Sequence, residues 1–193
     1  MRAFTELFAI LIIGLTLGGA LSWMSIQSNH GFGTLKIGQW TAWPQSGSID
    51  ADPYTKAKVA ADGDVPLGAA EGLAFHATVD LRGDPLRLDC QYNIQGQTPP
   101  ARFWTLSAHS IDGHVLKTPL GNASNIISRS LLRGTKGDFV VSTGPQLASG
   151  NWLETTGIGP FQLIIRLYDS PITGASGISG AKMPTIELVG CPT

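Results

Sequence analysis

Charged side chains are scarce in this 193-residue chain. Thirteen Lys and Arg and fourteen Asp and Glu make up only 14% of it, against about 25% in a typical soluble domain. The formal net charge of −1 excludes a protein that binds nucleic acid by covering its phosphates with positive charge. Hydrophobic residues account for 42% of the chain, which excludes a disordered polypeptide.

Cysteine is also nearly absent. The two cysteines are too few for a disulfide-dense miniature scaffold or for a zinc site with four thiolate ligands. The four histidines show none of the short spacings, such as HxH or HxxxH, that pairs of metal ligands have. They are His30, His76, His109 and His114. The sequence therefore predicts no metal site and no cofactor.

Signatures of catalysis are missing as well. The chain contains no glycine-rich phosphate loop of the GxGxxG or GxxxxGK[ST] form and no GxSxG nucleophile elbow. Ser107, His109 and Asp112 have the residue types of a hydrolase triad, but almost any chain of this size offers such a set. We therefore predict no catalytic residues and expect a protein that is not an enzyme.

The apolar residues are concentrated in one run near the start of the chain. The run from Leu7 to Ile26 contains no charge and no proline. As a helix it would span about 30 Å, the thickness of a bilayer core. Arg2 precedes the run, and the positive-inside tendency places residues 27–193 outside the cytoplasm. Residues 1–26 are thus predicted to form a single N-terminal membrane anchor.

A cleaved signal peptide is the alternative to a retained anchor. Gly18-Gly19-Ala20 resembles a small-residue cleavage site. The apolar run continues beyond it, however, and includes Trp23, which suits the membrane interface. Gly14 and Gly18 form a GxxxG spacing, which predicts close packing of two membrane helices. Both alternatives place the rest of the chain across the membrane.

A tether and then a folded domain are predicted after the anchor. Residues 27–51 are assigned to the tether, with a short extended piece from Leu35 to Trp43. Asp52 is a suitable cap and Pro53 a suitable first residue for a short helix. Residues 52–193 are predicted to form the domain.

Strand patterns dominate the predicted domain. Apolar and polar residues alternate in most segments, and many of the 24 Gly and 12 Pro lie between them, as in turns. This pattern predicts an all-β fold, a jelly-roll-like β-sandwich with one or two short helices. A second helix is expected over Asn125–Leu132, with Ser124 as its cap. The main predicted strands are Leu73–Asp80, Leu86–Ile94, Ala101–Ile111, Phe139–Ser142, Phe161–Tyr168 and Thr185–Val189.

Two further groups of residues are assigned roles. Export into an oxidising compartment favours a disulfide between Cys90 and Cys191, with two separate thiols as the alternative. Large aromatic rings usually fill a core, but exposed ones bind ligands and partners. Trp40, Trp43 and Trp152 are the candidate contacts. The first two lie in the tether, and docking on the sandwich or on the membrane surface is their alternative role.

Several motifs in a fixed order give the chain a family resemblance. They are Phe103-Trp104-Thr105-Leu106, Asp112-Gly113, Gly150-Asn151-Trp152-Leu153, Gly159-Pro160-Phe161 and Arg166-Leu167-Tyr168. In order and spacing they resemble the bacterial domain of unknown function 1214, from about residue 73 to residue 191. Tyr54 and the block at 68–72 resemble the upstream part of its short, membrane-anchored alphaproteobacterial members.

The resemblance implies a jelly-roll-like sandwich and a companion chain. Members of the family are often fused to, or encoded beside, domain of unknown function 1254, so a separate chain of that kind is an expected partner. Together with the anchor, the resemblance implies a single-pass protein of the bacterial inner membrane with its C-terminal domain in the periplasm. It supplies no catalytic residues.

Three functional hypotheses follow. The first is a non-enzymatic module that acts through an interaction in the cell envelope. The second is a module that binds carbohydrate or another small ligand, which requires several exposed Trp or Tyr rings in one groove. The third is a hydrolase acting on envelope polymer, which requires ionisable groups with shifted pKa values in a cleft.

Overall fold

Two β-sheets enclose one hydrophobic core in the computed structural model of the chain. The structure describes residues 2–27, 33–62, 66–68, 71–119, 121, 124–173 and 181–192. Within these ranges it contains ten strands and two α-helices, α1 (Arg2–Gln27) and α2 (Pro53–Asp62). A turn of 3-10 helix covers Pro171–Thr173. The predicted all-β, two-sheet class of fold is confirmed.

The strands are short, as the spacing of glycine and proline predicts. In chain order they are β1 (Leu35–Ile37), β2 (Trp40–Ala42), β3 (Gly72–Ala77), β4 (Gln91–Gly96), β5 (Phe103–Ser110), β6 (Asn125–Ile127), β7 (Phe139–Gly144), β8 (Asn151–Glu154), β9 (Phe161–Tyr168) and β10 (Thr185–Gly190). The larger sheet has the order β1-β2-β3-β9-β5-β6 and is antiparallel throughout. The smaller sheet has the order β10-β4-β7-β8, in which only the β7–β8 pair of the described strands is parallel.

Alternate side chains of the strands form the core. Along β9, which lies between β3 and β5, Phe161, Leu163, Ile165 and Leu167 are completely buried. The residues between them point to the outer face of the larger sheet, because side chains alternate along a strand. Burial of each such side chain contributes about 1.5–3 kcal/mol relative to an exposed position. The predicted strand Phe161–Tyr168 coincides with β9.

The predicted strand Leu86–Ile94 is regular only in its second half. Its alternate residues from Leu86 to Ile94 are buried, as the pattern predicts. Regular pairing begins only at Gln91, because the preceding residues turn: the Cys90 amide donates to the carbonyl of Arg87 at 3.2 Å. The period of the sequence therefore indicated the inward-facing residues correctly but not the start of the strand.

The helix expected over Asn125–Leu132 does not form, and that prediction is wrong. Residues 125–127 instead form β6 and pair with β5, where Ile126 lies opposite Leu106. The expected cap, Ser124, is buried, and its hydroxyl donates to the carbonyl of Glu154. The edge of β5 offers backbone donors and acceptors to this segment, and β-branched isoleucines fit a strand better than a helix.

Part of the predicted tether belongs to the larger sheet. β1 and β2 form a hairpin, and β2 pairs with β3 through Thr41 opposite His76 and Ala42 opposite Phe75. Each strand of this hairpin has three residues, too few for an alternating pattern to be recognised in the sequence. The domain that packs together thus begins at about residue 35 rather than at residue 52. Residues 28–32 of the tether lie outside the described ranges.

α2 begins at the predicted cap. The Asp52 carboxylate accepts hydrogen bonds from the amides of Tyr54 (2.9 Å) and Thr55 (3.1 Å) and from the Thr55 hydroxyl. The hydroxyl bond is the largest of the causes that hold the pKa of Asp52 below its usual range. Because the pKa is lowered in the folded state, the cap stabilises α2 at neutral pH and is lost as the pH falls through that lowered pKa.

α1 is exposed along its described side chains. Its residues from Arg2 to Ser25 are long and apolar enough to cross a membrane, and 0% of that span is buried against the protein. A signal sequence has the same properties, so length and apolar composition are consistent with both a membrane anchor and a signal sequence. Gly14 and Gly18 are both exposed, and a Cβ added at either would touch no described atom within 4 Å. Their packing against a second helix stays a prediction.

Candidate functional site

An open pocket of about 320 Å³ lies where β5 begins. Small-molecule sites usually measure roughly 300–1,000 Å³, so the pocket is at the small end of that range. Its lining comes from two pieces of chain: residues 98–104, which lead into β5, and residues 128–133 after β6. We call it the arginine pocket, after Arg102, Arg129 and Arg133, which line it.

Hydrogen bonds hold the walls of the arginine pocket in place. The Trp104 amide donates to the Ser128 hydroxyl at 3.0 Å, and the Ser128 amide donates to the Trp104 carbonyl at 2.9 Å. On the opposite wall, the Ser170 hydroxyl donates to the Pro100 carbonyl at 2.6 Å. The connections before β5 and after β6 are therefore fixed to the sheet, which makes the pocket preformed.

Two of the three guanidinium groups lie over aromatic rings. The Arg129 guanidinium is 5.8 Å from the centroid of Phe103. The Arg133 guanidinium is 5.7 Å from the centroid of Trp104 and 5.8 Å from that of Phe139. A ring attracts a cation placed over its face, by about 0.5–1 kcal/mol at an exposed site. The rings thus orient both charges.

The rings themselves are packed in pairs. Phe103 stacks on Tyr168, with centroids 4.4 Å apart and planes inclined by 9°. Trp104 and Phe139 lie 5.0 Å apart in a tilted arrangement. Because these aromatic pairs are fixed by their own contacts, the arginines rest on a rigid surface rather than on mobile side chains.

The positive charges of the arginine pocket have no acidic partner among the described residues. None of its three arginines has a carboxylate oxygen of those residues within 4.0 Å. Arg133 instead donates to the carbonyls of Gly137 (3.2 Å) and Ser128 (3.4 Å), which orient the guanidinium without neutralising it. A cluster of positive charge with no counter-charge attracts anions.

Arg87 shows the contrasting case elsewhere on the surface. Its guanidinium bonds both carboxylate oxygens of Asp89, at 3.0 and 2.7 Å. The hydrogen bond from Arg87 is the largest cause that holds the pKa of Asp89 below its usual range. Within the described residues, Arg87 is thus neutralised by a carboxylate, unlike the three arginines of the arginine pocket.

The tryptophans predicted to contact a ligand or partner are not among the residues that line the arginine pocket. Trp40 is completely buried, and its indole N–H donates to the Pro184 carbonyl at 2.7 Å. It is therefore a core residue and not a binding residue, because no part of its ring is accessible. Trp43 is half-buried, with its ring edge to face with His76 at 5.6 Å. Trp152 is half-buried and donates to the Gly144 carbonyl at 3.2 Å.

Neither of the half-buried tryptophans lines the arginine pocket as described. The exposed tryptophan groove that a sugar-binding module would need is thus not found within the described residues. Trp43 docks on the outer face of the larger sheet, which agrees with its predicted alternative role. A contact of Trp152 with a partner stays a prediction.

The predicted disulfide is present in the structure. Cys90 and Cys191 are bonded, with their Cα atoms 4.1 Å apart and a separation of 101 positions along the chain. Cys90 is completely buried beside β4, and Cys191 follows β10. Since β4 and β10 are neighbours in the smaller sheet, the bond joins the end of the chain to that sheet. Its role is structural.

Two of the three residues that have the types of a hydrolase triad are within hydrogen-bond distance of each other. The Ser107 hydroxyl and His109 Nε2 are 2.9 Å apart. His109 Nδ1 lies 2.8 Å from the carbonyl of Gly113. A carbonyl only accepts, so in the neutral ring Nδ1 carries the proton and Nε2 accepts from Ser107. Both side chains are buried, which favours a role in packing the outer face of the larger sheet.

The remaining ionisable residues form no metal site in the part of the chain that the structure describes. No group of three His, Cys, Asp or Glu side chains comes together there. Asp80 is buried. Its carboxylate accepts hydrogen bonds from the amides of Arg82 (2.8 Å) and Asp84 (3.0 Å), and these bonds close the turn after β3. His30 lies outside the described residues.

Sequence reasoning missed the arginine pocket. Arg102 is separated from Arg129 and Arg133 along the chain, and only the pairing of β5 with β6 brings their segments together. One signal was available: no acidic residue occurs between Asp112 and Asp138, although that stretch carries several basic ones. A local excess of one charge in a nearly neutral chain indicates an anion-binding surface.

Two sheets around one core, stapled by a disulfide and preceded by an exposed apolar helix, define a sandwich-like β protein with a membrane-length N-terminal helix. Its pocket contains arginines and aromatic rings. The chain belongs to the family described as Protein of unknown function (DUF1214), whose model matches residues 71–172. This confirms the family resemblance seen in the sequence.

The fold is shared with a solved structure. The VPA0106 protein from Vibrio parahaemolyticus matches with a TM-score of 0.58 and 21% identity, over 72% of this chain and 36% of that one. An uncharacterized protein from Burkholderia cenocepacia matches with a TM-score of 0.42 and 15% identity, over 93% of this chain and 51% of that one. This chain therefore spans about a third to a half of their length. No curated protein matches it.

Proposed function

We propose that this protein is a membrane-anchored interaction module of the bacterial cell envelope, whose sandwich lies in the periplasm and acts by binding. The observation that carries the proposal is the combination of α1, which is exposed and apolar, with the Cys90–Cys191 bond. A disulfide persists in an oxidising compartment, and an N-terminal apolar helix delivers the following domain to one. Together they support a periplasmic domain held at the inner membrane.

Binding, rather than catalysis, agrees with the side chains that the structure describes. The Ser107–His109 pair is buried. The arginine pocket has no His, Asp, Glu, Cys or Lys among the described residues of its lining, so no residue there is placed to act as a general base for a nucleophile. Arginine remains protonated at physiological pH, so it binds and orients charge but does not exchange protons there. The pocket is therefore suited to recognition.

The side of the membrane can be tested with two C-terminal fusions of the full chain. We expect an alkaline phosphatase fusion to be active and a green fluorescent protein fusion to be dark in the same bacterium, because the first folds only in the periplasm and the second only in the cytoplasm. Removal of residues 2–27 should reverse both signals, which is the matched control. A bright fluorescent fusion of the intact chain would contradict the proposal.

Intact mass distinguishes an anchor from a signal peptide. A mature protein of 20.4 kDa in the membrane fraction is the expected result. A shorter, soluble product beginning after Ala20 would establish cleavage instead, since Gly18-Gly19-Ala20 is the predicted cleavage site.

We further propose that the module acts with a separate chain of the domain of unknown function 1254 family. The resemblance to domain of unknown function 1214 proteins motivates this partner.

Co-expression and cross-linking test the companion chain. We expect it to co-purify from membranes with the full-length protein, and not with a control in which residues 1–26 anchor an unrelated periplasmic domain. The control excludes association through the membrane helix alone. Elution of the sandwich as a monomer, with the companion chain in separate fractions, would contradict this part of the proposal.

A further inference from the structure

We propose that the arginine pocket binds the oxyanion of a small hydrophilic molecule, a phosphate or a carboxylate, between the guanidinium groups of Arg129 and Arg133. The observation is two ring-supported guanidinium groups lining one preformed pocket, with no acidic partner among the described residues. This site does not depend on the membrane topology or on the companion chain proposed above.

The chemistry of the guanidinium group determines the class of ligand. Its planar fork of N–H donors matches the oxygen atoms of carboxylates and phosphates, and it binds them with two parallel hydrogen bonds. Arg133 uses one N–H of each terminal nitrogen on the carbonyls of Gly137 and Ser128, so donors remain for a ligand. Placement over the rings holds both exposed cations at the pocket, where an anion can reach them.

The remaining lining determines the character of the ligand. Thr98 and Ser128 contribute polar side chains, and Arg102 adds a third positive charge at the rim. Arg129 covers a face of Phe103 and Tyr168 stacks on the ring, so Phe103 supports the cation rather than a ligand ring. An open, polar and positively charged pocket of about 320 Å³ suits a small anion such as a sugar phosphate or a uronic acid, and not an apolar chain.

The test uses the full-length protein in detergent micelles and four probes. These are inorganic phosphate, glucose 6-phosphate, glucuronate and uncharged glucose. Binding is followed by the NMR signals of the arginine Nε–H groups. We expect ring currents to displace the signals of Arg129 and Arg133, because both guanidinium groups lie over aromatic rings. We expect saturable shifts of these two signals with the three anions and none with glucose, and weaker binding as salt increases.

Matched substitutions localise the site. Arg129→Gln with Arg133→Gln should weaken binding at least tenfold, while replacement of both by Lys should give an intermediate loss, because Lys keeps the charge without the fork. Arg82→Gln is the control, since Arg82 is exposed and lies 3.6 Å from Asp80 and Asp84 in another turn. Arg102→Gln should reduce affinity without removing a ring contact, and it covers the case in which the double variant fails to fold.

The relative affinities of the probes distinguish a phosphorylated ligand from a carboxylated one, and other results would overturn the proposal. Tighter binding of glucose 6-phosphate than of inorganic phosphate would support a phosphorylated sugar, and tighter binding of glucuronate would support a carboxylated one. Equal and saturable binding of all three anions would support an oxyanion site without sugar contacts. Binding that Arg82→Gln weakens as much as Arg129→Gln with Arg133→Gln would overturn the proposal, and so would shifts that never saturate.

Discussion

Loss of the Cys90–Cys191 bond is expected to lower the free energy of unfolding of the sandwich by about 4–5 kcal/mol. The bond closes a loop of 101 positions, and a cross-link of that length removes a large amount of conformational entropy from the unfolded chain. Cys90→Ala with Cys191→Ala in the full-length protein is the variant. Urea unfolding followed by tryptophan fluorescence in detergent micelles is the measurement.

Reduction of the unsubstituted protein is the matched control. Dithiothreitol removes the bond without changing the volume of Cys90, which is completely buried. It should therefore produce most of the loss, and the double variant should not respond to it. If the reduced and oxidised proteins unfold at the same urea concentration, the bond is not a stabilising staple of the smaller sheet.

Trp40→Ala is the second substitution with a large expected effect. We expect a loss of about 3–5 kcal/mol, the usual cost of truncating a fully buried aromatic residue. The side chain has no exposed surface, and its N–H bond to the Pro184 carbonyl joins the β1–β2 hairpin to the segment before β10. The same unfolding measurement applies, and hydrogen exchange of β2 amides should accelerate selectively.

Two further tryptophan variants make the result specific. Trp40→Phe keeps most of the apolar contact and loses the hydrogen bond, so its cost should be roughly 1–3 kcal/mol. Trp23→Ala should leave the sandwich unchanged, because Trp23 lies on α1 with 66% of its surface exposed. If Trp40→Ala were no more destabilising than Trp23→Ala, residues 35–42 would be a tether and not a part of the sheet.

The strands could be predicted where their sequences are long enough to show a period. β9 has eight residues with four completely buried side chains at alternate positions, and the sequence indicates both its ends and its inner face. β1 and β2 have three residues each, and β6 has three, so none of them shows a period. Strands this short are determined by the neighbours that offer them hydrogen bonds, which is information outside the segment.

The candidate site could not be predicted for a related reason. The sequence shows Phe103 within a motif, but it does not show which residues contact the ring. Tyr168 reaches Phe103 through the pairing of β9 with β5, and Arg129 reaches it through the connection after β6. A pocket made by two separate pieces of chain has no single sequence signature.

The sequence by itself determined the properties that depend on local composition. An uncharged run of apolar residues indicates a membrane-length helix, and Asp52 with Pro53 indicates the start of α2. Two cysteines in a chain that begins with such a run favour one bond. Tertiary structure alone decided that Trp40 is core and that three distant arginines share a pocket. The physical reason is that burial and local charge depend on which strands become neighbours, and strand pairing joins residues far apart in the chain.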